Sequence, residues 1–443
     1  MFDFTTFDWT DFLTNIGANP FIAMWFLFIH GGWIVFLIIF VWCAILLRKD
    51  YKQHQFNHHK QFIVLRVSVP RMHEQSPRAV ENMFAFCAGA HSGNSWTEEW
   101  IIGRTQDTLS FEIVSIEGNV QFIIRTTKAM RDLVEVAIFS QYPDADIVQI
   151  EDYVKLVPHK FPDEEWNLWG TQFKLTKPDF YPLRTYPMFE DKVSGEFKDP
   201  ISAMLEALSH LGPGEHAWFQ IILLPIGQGH FQHESEDLVK KLTGQEVHHH
   251  RHWALDVVEF PINLVLTIVK ELLGGLFGHG EPAKHTSSDK KEKSNMMHMT
   301  SGEKDIVTAI ENKASKTVFG VSMRFIYVAK KTVMSTSRIA NSFMGSLRQI
   351  NTNNMQTLKP EFAKIGTNGA LWWFKQARND ARRTKLIHAY SDRSMHHGVK
   401  EFHLCSEELA TLWHFPHSEQ VKPPQLQKTQ NKKAEPPGYI PFG

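Results

Sequence analysis

From Phe21 to Leu47 the sequence carries no Asp, Glu, Lys or Arg, and His30 is the single histidine in that run. A stretch of about 27 such residues exceeds the roughly 20 that a helix needs to cross a hydrocarbon core, leaving room for tilt. It is too long for a signal peptide, has no basic residue before it, and is followed by Arg48, Lys49 and Lys52 where a small-residue cleavage site would stand. Asp3, Asp8 and Asp11 precede it, while Arg48, Lys49, Lys52 and Lys60 follow. The positive-inside rule then sets residues 1–20 outside the cell membrane and the chain after 48 in the cytoplasm, a single-pass anchor at 21–47. Trp25 and Trp42 suit the aromatic belts at its two ends, and Gly31-Gly32 is a close-packing point or a tolerated irregularity.

The remaining length allows two to three domains, and 43% hydrophobic with 21% charged residues is ordinary for folded protein. A formal net charge of −1 gives no global pull toward nucleic acid, so any such contact needs a local patch. Cys43, Cys87 and Cys405 lie far apart without metal-ligand spacing, which suits a reducing compartment and neither disulfides nor zinc.

Residues 48–60 read as a polar connection. Alternation over Phe62–Pro70 predicts a strand, and Ser76-Pro77 starts a helix with Val80, Met83, Phe84 and Cys87 on one face. Strands over Leu109–Ile116 and Val120–Arg125 flank a hairpin signal at Glu117-Gly118-Asn119. A helix over Lys128–Gln141 and a strand over Ala145–Ile150 complete β-α-β-β-α-β, a ferredoxin-like unit at 61–157. Residues 165–415 repeat the plan: strand at Thr171–Leu175, helix at Pro200–Leu211 capped by Asp199, strand at Ala217–Ile226, strand at Val318–Ala329, helix at Ser335–Ile350, and a short ordered stretch over 385–413. The expected fold is therefore α+β, a transmembrane helix followed by two ferredoxin-like units.

An insertion at 230–316 interrupts the second unit. Within it Val257–Phe277 is apolar, but Glu259, Lys270, Glu271 and Pro261 make it a poor second span and a better interfacial helix, so residues 254–277 are a candidate membrane contact. Gly278–Lys304 reads as a polar linker, and 416–443 as a Pro-, Lys- and Gln-rich tail.

No Gly-Lys dipeptide occurs, so a nucleotide-holding P-loop is absent from these residues, as are a G-x-S-x-G elbow and an H-E-x-x-H helix. No catalytic, cofactor-binding or metal-binding residue is assigned. His248-His249-His250-Arg251-His252, with His230, His233 and Glu234 before it, could bind a metal ion or be a polar loop. Consecutive imidazoles cannot all face one ion, which favours the loop. Lys375, Arg378, Arg382, Arg383 and Lys385 follow Trp372, Trp373 and Phe374, a mixture that could hold single-stranded nucleic acid or lipid phosphates, or be a solvated helix face with an apolar anchor.

The segment Leu404-Cys405-Ser406-Glu407-Glu408-Leu409-Ala410-Thr411-Leu412-Trp413-His414-Phe415-Pro416, with Lys433-Ala434-Glu435-Pro436-Pro437, resembles a signature of the membrane-anchored coupling ATPases of type IV secretion and conjugation, the TraG/TraD and HerA-like group of candidate-phylum bacteria. The segments at 66–71, 76–84, 131–147 and 302–331 extend the resemblance over most of 60–437. Cys405 stands where that signature has Asn. In the family the signature precedes the P-loop motor, whereas this sequence ends at Gly443. The resemblance implies a non-enzymatic anchor and scaffold that docks a separately encoded P-loop ATPase and forms homo-oligomers. A ligand- or metal-responsive membrane protein using the His-rich insertion is the alternative.

Overall fold

A computed structural model describes residue 28 and residues 33–70, 75–190, 197–245, 299–370 and 373–416. Helix α1, Trp33–His58, runs straight through the stretch expected to be a polar connection. Residues 48–58 are rich in Lys, Gln and His and contain neither Gly nor Pro, so nothing in them stops a helix already nucleated by the apolar run before it. Among the described residues no helix is long and apolar enough to cross a membrane. The apolar part of α1 covers 33–47, about 22 Å of helix against the roughly 30 Å of a bilayer core. The rest of the expected span, 21–32, lies outside the described residues apart from Phe28.

The chain then forms β1 (Phe62–Ser68), α2 (Pro77–Cys87), β2 (Leu109–Ile116), β3 (Asn119–Thr127), α3 (Arg131–Phe139) and β4 (Asp146–Ile150). Pro77 opens α2, where its missing N–H costs nothing. The β2–β3 turn is the two-residue Glu117-Gly118, both at positive φ (52° and 85°), the geometry of a tight hairpin turn matched to strand twist. Next come β5 (Trp166–Leu175), α4 (Ser202–Ser209), β6 (Glu215–Pro225), α5 (Gln228–Leu242), α6 (Ser301–Ala314), β7 (Val318–Lys330), α7 (Thr336–Arg348) and β8 (Leu358–Pro360). Finally α8 (Lys375–Ser391), β9 (Phe402–Cys405) and α9 (Ser406–Leu412) are the last elements among the described residues.

The two expected sheets are one. A nine-stranded antiparallel sheet runs β4-β1-β3-β2-β6-β7-β5-β8, with β9 on β7. Its first four strands keep the order 4-1-3-2. The second four, counted β5, β6, β7 and β8, keep the same order in mirror sequence. The halves meet where β2 pairs with β6 from Leu109↔Leu223 to Ile116↔His216. Fusion removes two exposed edges that separate units would each have presented to solvent. It also explains why β6 and β7 read as near-continuous apolar runs: they are central strands covered on both faces.

One face carries α2, α3, α4, α7 and α9 over a core that includes Phe84, Phe111, Phe219, Phe325, Phe343 and Trp413. The other is covered by residues 153–161 and α8 over Trp218, Ile326, Leu386 and Tyr390. The insertion is framed by structure: α5 and α6 pack on each other, and a Thr300–Glu303 capping box starts α6 inside the expected linker. Residues 246–298, the His248–His252 cluster and the 254–277 segment among them, lie outside the described residues, as does the tail after 416.

One end of the sheet gathers several connections. The registers Phe62↔Thr127, Leu109↔Leu223 and Pro225↔Phe319 place the starts of β1, β2 and β7 and the ends of β3 and β6 together. Helix α1 enters at that end, and the α5–α6 pair leaves and returns there.

Candidate functional site

Four neighbouring strands each place one long polar side chain at the same level under α8. The ladder pairs Glu112 with Gln220, Gln220 with Arg324, and Arg324 with Gln172, so a polar rung crosses β2, β6, β7 and β5 and spans the seam between the halves. All four residues are buried. Cross-strand neighbours share a face, so the sheet register alone brings them together.

Glu112 is the hub. It accepts hydrogen bonds from Ser110 Oγ (2.7 Å), Tyr153 OH (2.7 Å), Gln220 Nε2 (3.0 Å) and Arg393 Nε (3.0 Å). Tyr153 spends its proton on Glu112, so Tyr390 donates to Tyr153 across 2.7 Å. Arg393 also reaches Asp152, with Nη2 3.0 Å from Oδ1. This arginine follows α8 at φ 50°, a left-handed position that turns its side chain back beneath the helix end. Arg324 donates to Gln220 Oε1 at 3.2 Å and to the carbonyls of Ala389 and Ser394.

Burial alone would raise the Glu112 carboxyl, but the Arg393 charge and the bonds from Arg393, Ser110 and Tyr153 outweigh it and hold the group below the ordinary carboxylate range. Burial pushes both tyrosine hydroxyls well above theirs, and it pulls the Arg324 guanidinium down to about 10. Both oxygens of Glu112 are taken, and Glu112, Gln220, Arg324, Tyr390 and Arg393 are buried, Asp152 alone reaching the surface, so a reactant would have to displace α8 to reach Glu112. The arrangement fixes register and joins α8 to the seam.

The signature segment forms a second enclosed cluster. Glu408 accepts the N–H of Cys405 (2.8 Å) and of Leu183 (2.7 Å), and its carboxylate pairs with Lys313 at 2.9 Å, both side chains buried. Thr411 accepts the N–H of Tyr186, and His414 lies 3.1 Å from Asp199. Trp413 sits edge-on to Phe84 and Phe111, and Phe415 against Phe122 and Tyr142. So β9 is fastened to β7 of the second half, while α9 and Trp413 pack on the first: the segment is a clasp across the two halves. Cys405 fills the N-cap position of α9, and burial pushes its thiol above the ordinary range.

The other sequence candidates separate. His230 and His233 are exposed on α5, His230 paired with Glu234 at 3.4 Å, and among the described residues no group of His, Cys, Asp and Glu could hold a metal ion. Of the basic run on α8, Arg382 donates to the carbonyls of Gly366 and Ala363, and Arg383 bonds Asp380 and Asn368. Those two guanidiniums serve the fold rather than a phosphate backbone. Trp373 and Phe374, 83% and 80% exposed, form an apolar tip at the helix start. A surface hollow of about 430 Å³ lies beside β1, lined by Phe62, Lys128, Arg131 and Gln149, with Arg131 committed to Glu135 at 2.7 Å.

Sequence reasoning missed the rung, though its mark was present: LSFEIVSI, AWFQIILLP and VSMRFIYVA are apolar strands each holding one long polar residue. A comparison with curated proteins finds no match. Residues 52–428 match the family described as a domain of unknown function, DUF8128. That match takes in α1 from Lys52 on, both halves of the sheet and the clasp, and the chain belongs to the DUF8128 family.

Proposed function

We propose that this chain is a non-enzymatic scaffold attached to the cell membrane by its N-terminal apolar helix. The observation that carries the reading is α1. Its apolar half presents Phe36, Val41, Ile38, Trp42 and Ile39 outward on successive sides of the helix, and its polar half feeds β1 directly. A helix apolar on all sides calls for a surround of lipid or protein. The buried polar clusters support a structural role, because they join elements to one another and leave no reacting atom open to a substrate.

Each half keeps the 4-1-3-2 antiparallel order with two helices on one face, which supports a tandem ferredoxin-like reading of the fold. That superfold by itself specifies no activity. The docking of a separately encoded P-loop ATPase at the cytoplasmic face, in a secretion or DNA-transfer assembly, rests on the sequence resemblance. Cross-linking in intact membranes tests it: the chain, with a photoreactive group on the exposed tip at Trp373 or Phe374, is expected to capture a P-loop ATPase in constant ratio. Recovery of cross-links to other chains with no ATPase among them would remove that partner.

A further inference from the structure

We propose that Trp96, Trp100, Ile101 and Ile102 form a second membrane contact, an apolar foot that seats in the interfacial zone of the bilayer beside α1. The inference rests on the membrane attachment proposed above and adds to it a specific surface of the folded portion.

The geometry starts from the polar half of α1. Residues 99–107 are bound along it. Lys49 pairs with Glu99, Lys60 lies 2.6 Å from Asp107, and Thr105 Oγ1 donates to Asn57 Oδ1. Gly103, at φ 81°, touches the backbone of Lys52 so closely that a Cβ there would stand 2.4 Å from the Lys52 carbonyl carbon. The segment therefore climbs α1 from Asn57, in its last turn near the base of the sheet, to Lys49, about 12 Å higher at 1.5 Å per residue. Lys49 and Arg48 are the first charges after the apolar run.

At that height the backbone makes a π-helical turn, Glu98–Ile102. Such turns are rare and frequently mark functional positions. This one sends its apolar residues outward. Trp96 is 67% exposed, Ile101 51% and Ile102 56%. Trp96 stacks on Trp100 with centroids 6.2 Å apart, and Lys49 Nζ lies 4.3 Å from the Trp100 ring centre. The polar members of the turn are partly exposed but paired: Glu98 binds Ser95 and Arg104, and Glu99 binds Lys49.

An isolated exposed apolar residue is common, but a contiguous group this size marks a contact surface. The occupant follows from position. The foot lies beside α1 at the level of Lys49, directly below its outward-facing apolar half, where Trp is favoured in membrane proteins. Lysine stacked on an aromatic ring at that level keeps its ammonium at the water side while the ring lies deeper.

The test uses the full chain in phosphatidylcholine vesicles containing lipid brominated near the head-group end of the acyl chain. An environment-sensitive fluorophore is placed singly by Ile102→Cys, with Ile101→Cys as a second position, in a Cys43→Ser background. Phe40→Cys reports on α1. Val333→Cys, exposed at the opposite end of the sheet, reports on water. The foot predicts blue-shifted, bromine-quenched emission at 102 and 101 and neither effect at 333. Quenching at 40 with water-like emission at 102 and 101 overturns the foot and leaves the anchor intact. Absence of quenching at 40, 101 and 102 alike overturns the membrane reading and the foot with it. Quenching at 333 as strong as at 102 overturns the foot in favour of unspecific adsorption.

Discussion

The two halves of the sheet share one strand order but close in different ways. The first is built from 89 consecutive positions, 62–150, with a two-residue hairpin and one longer connection, 88–108. In the second, α5, α6 and everything between them enter between β6 and β7, and the last strand of its plan, β8, has three residues. What the second half lacks in contiguity it recovers from the C-terminal segment, whose β9 pairs with the start of its central strand β7 while α9 packs across the other half. A fold whose first unit can be completed locally and whose second depends on remote residues has its weak point at those residues. That statement can be broken by substitution.

The largest effect is expected at the clasp. Glu408→Ala leaves the Lys313 ammonium buried and removes the acceptor for two backbone N–H groups, a loss of roughly 3–5 kcal/mol. Replacing both partners with apolar residues of similar volume (Lys313→Met with Glu408→Leu) should recover much of it, since no charge is then stranded. Denaturant midpoints of the single and double variants check this. If the single variant matches the parent within error, the clasp does not hold the halves together.

The seam is next. Glu112→Gln keeps the shape but removes the charge facing Arg393, at a cost of roughly 2–3 kcal/mol. The pH dependence has a definite sign. The folded Glu112 carboxyl lies below its unfolded value near 4.3, so its contribution is present above that value and disappears as pH falls through the folded one. Stability measured from pH 6 down toward pH 3 should therefore fall more steeply in the parent than in the Glu112→Gln variant. Parallel curves would assign the acid sensitivity to other carboxylates.

How much of this was readable beforehand divides along the same line. The first half followed from period-2 alternation, the Ser76-Pro77 start and the positive-φ Gly118, all local signals. The second half's strands were found, but β8 was not, because three residues carry no periodicity. Fusion was hidden for a different reason. Nothing in LSFEIVSI says whether its outer edge meets solvent or another strand; only its pairing with β6 in the folded chain does. The signature 404–416 was legible as a special segment, yet its residues turn out to be enclosed, with Glu408 and Thr411 satisfying loop backbone at Leu183 and Tyr186. The basic run on α8 misled in the opposite sense, since composition cannot show that Arg382 and Arg383 are drawn onto carbonyls of 363 and 366 and onto Asp380 and Asn368.

A smaller effect probes the far end of the second half. Arg338, on α7, contacts both Glu215 oxygens at 2.6 and 2.7 Å, but its own side chain is half exposed. Glu215 keeps Tyr327 OH and the Gly212 N–H after Arg338→Ala, so the cost should be about 1 kcal/mol. High salt should reduce the difference between parent and variant. A loss as large as that of Glu408→Ala would mean that this end, rather than the clasp, closes the second half.

The smallest effect tests whether the insertion is coupled to that closure. Thr300 caps α6: its hydroxyl lies 3.4 Å from the Glu303 N–H, and Glu303 accepts the Thr300 N–H at 2.8 Å. The Thr300 N–H and then its hydroxyl, both donating to the Glu303 carboxylate, hold that group below its usual range although it is exposed. Thr300→Ala removes half of this box, a change worth about 1 kcal/mol to the helix start. The C-terminal part of α6 carries Lys313, the partner of Glu408, and runs into β7. If the helix frays as a unit, hydrogen exchange should quicken through the first turns of α6 and stop before Lys313, because the clasp holds that end. Faster exchange confined to 301–305 marks the insertion as an appendage on a closed sheet. Faster exchange that reaches β9 and α9 would instead show that the insertion and the clasp open together, and the second half would then be one cooperative unit with its interruption.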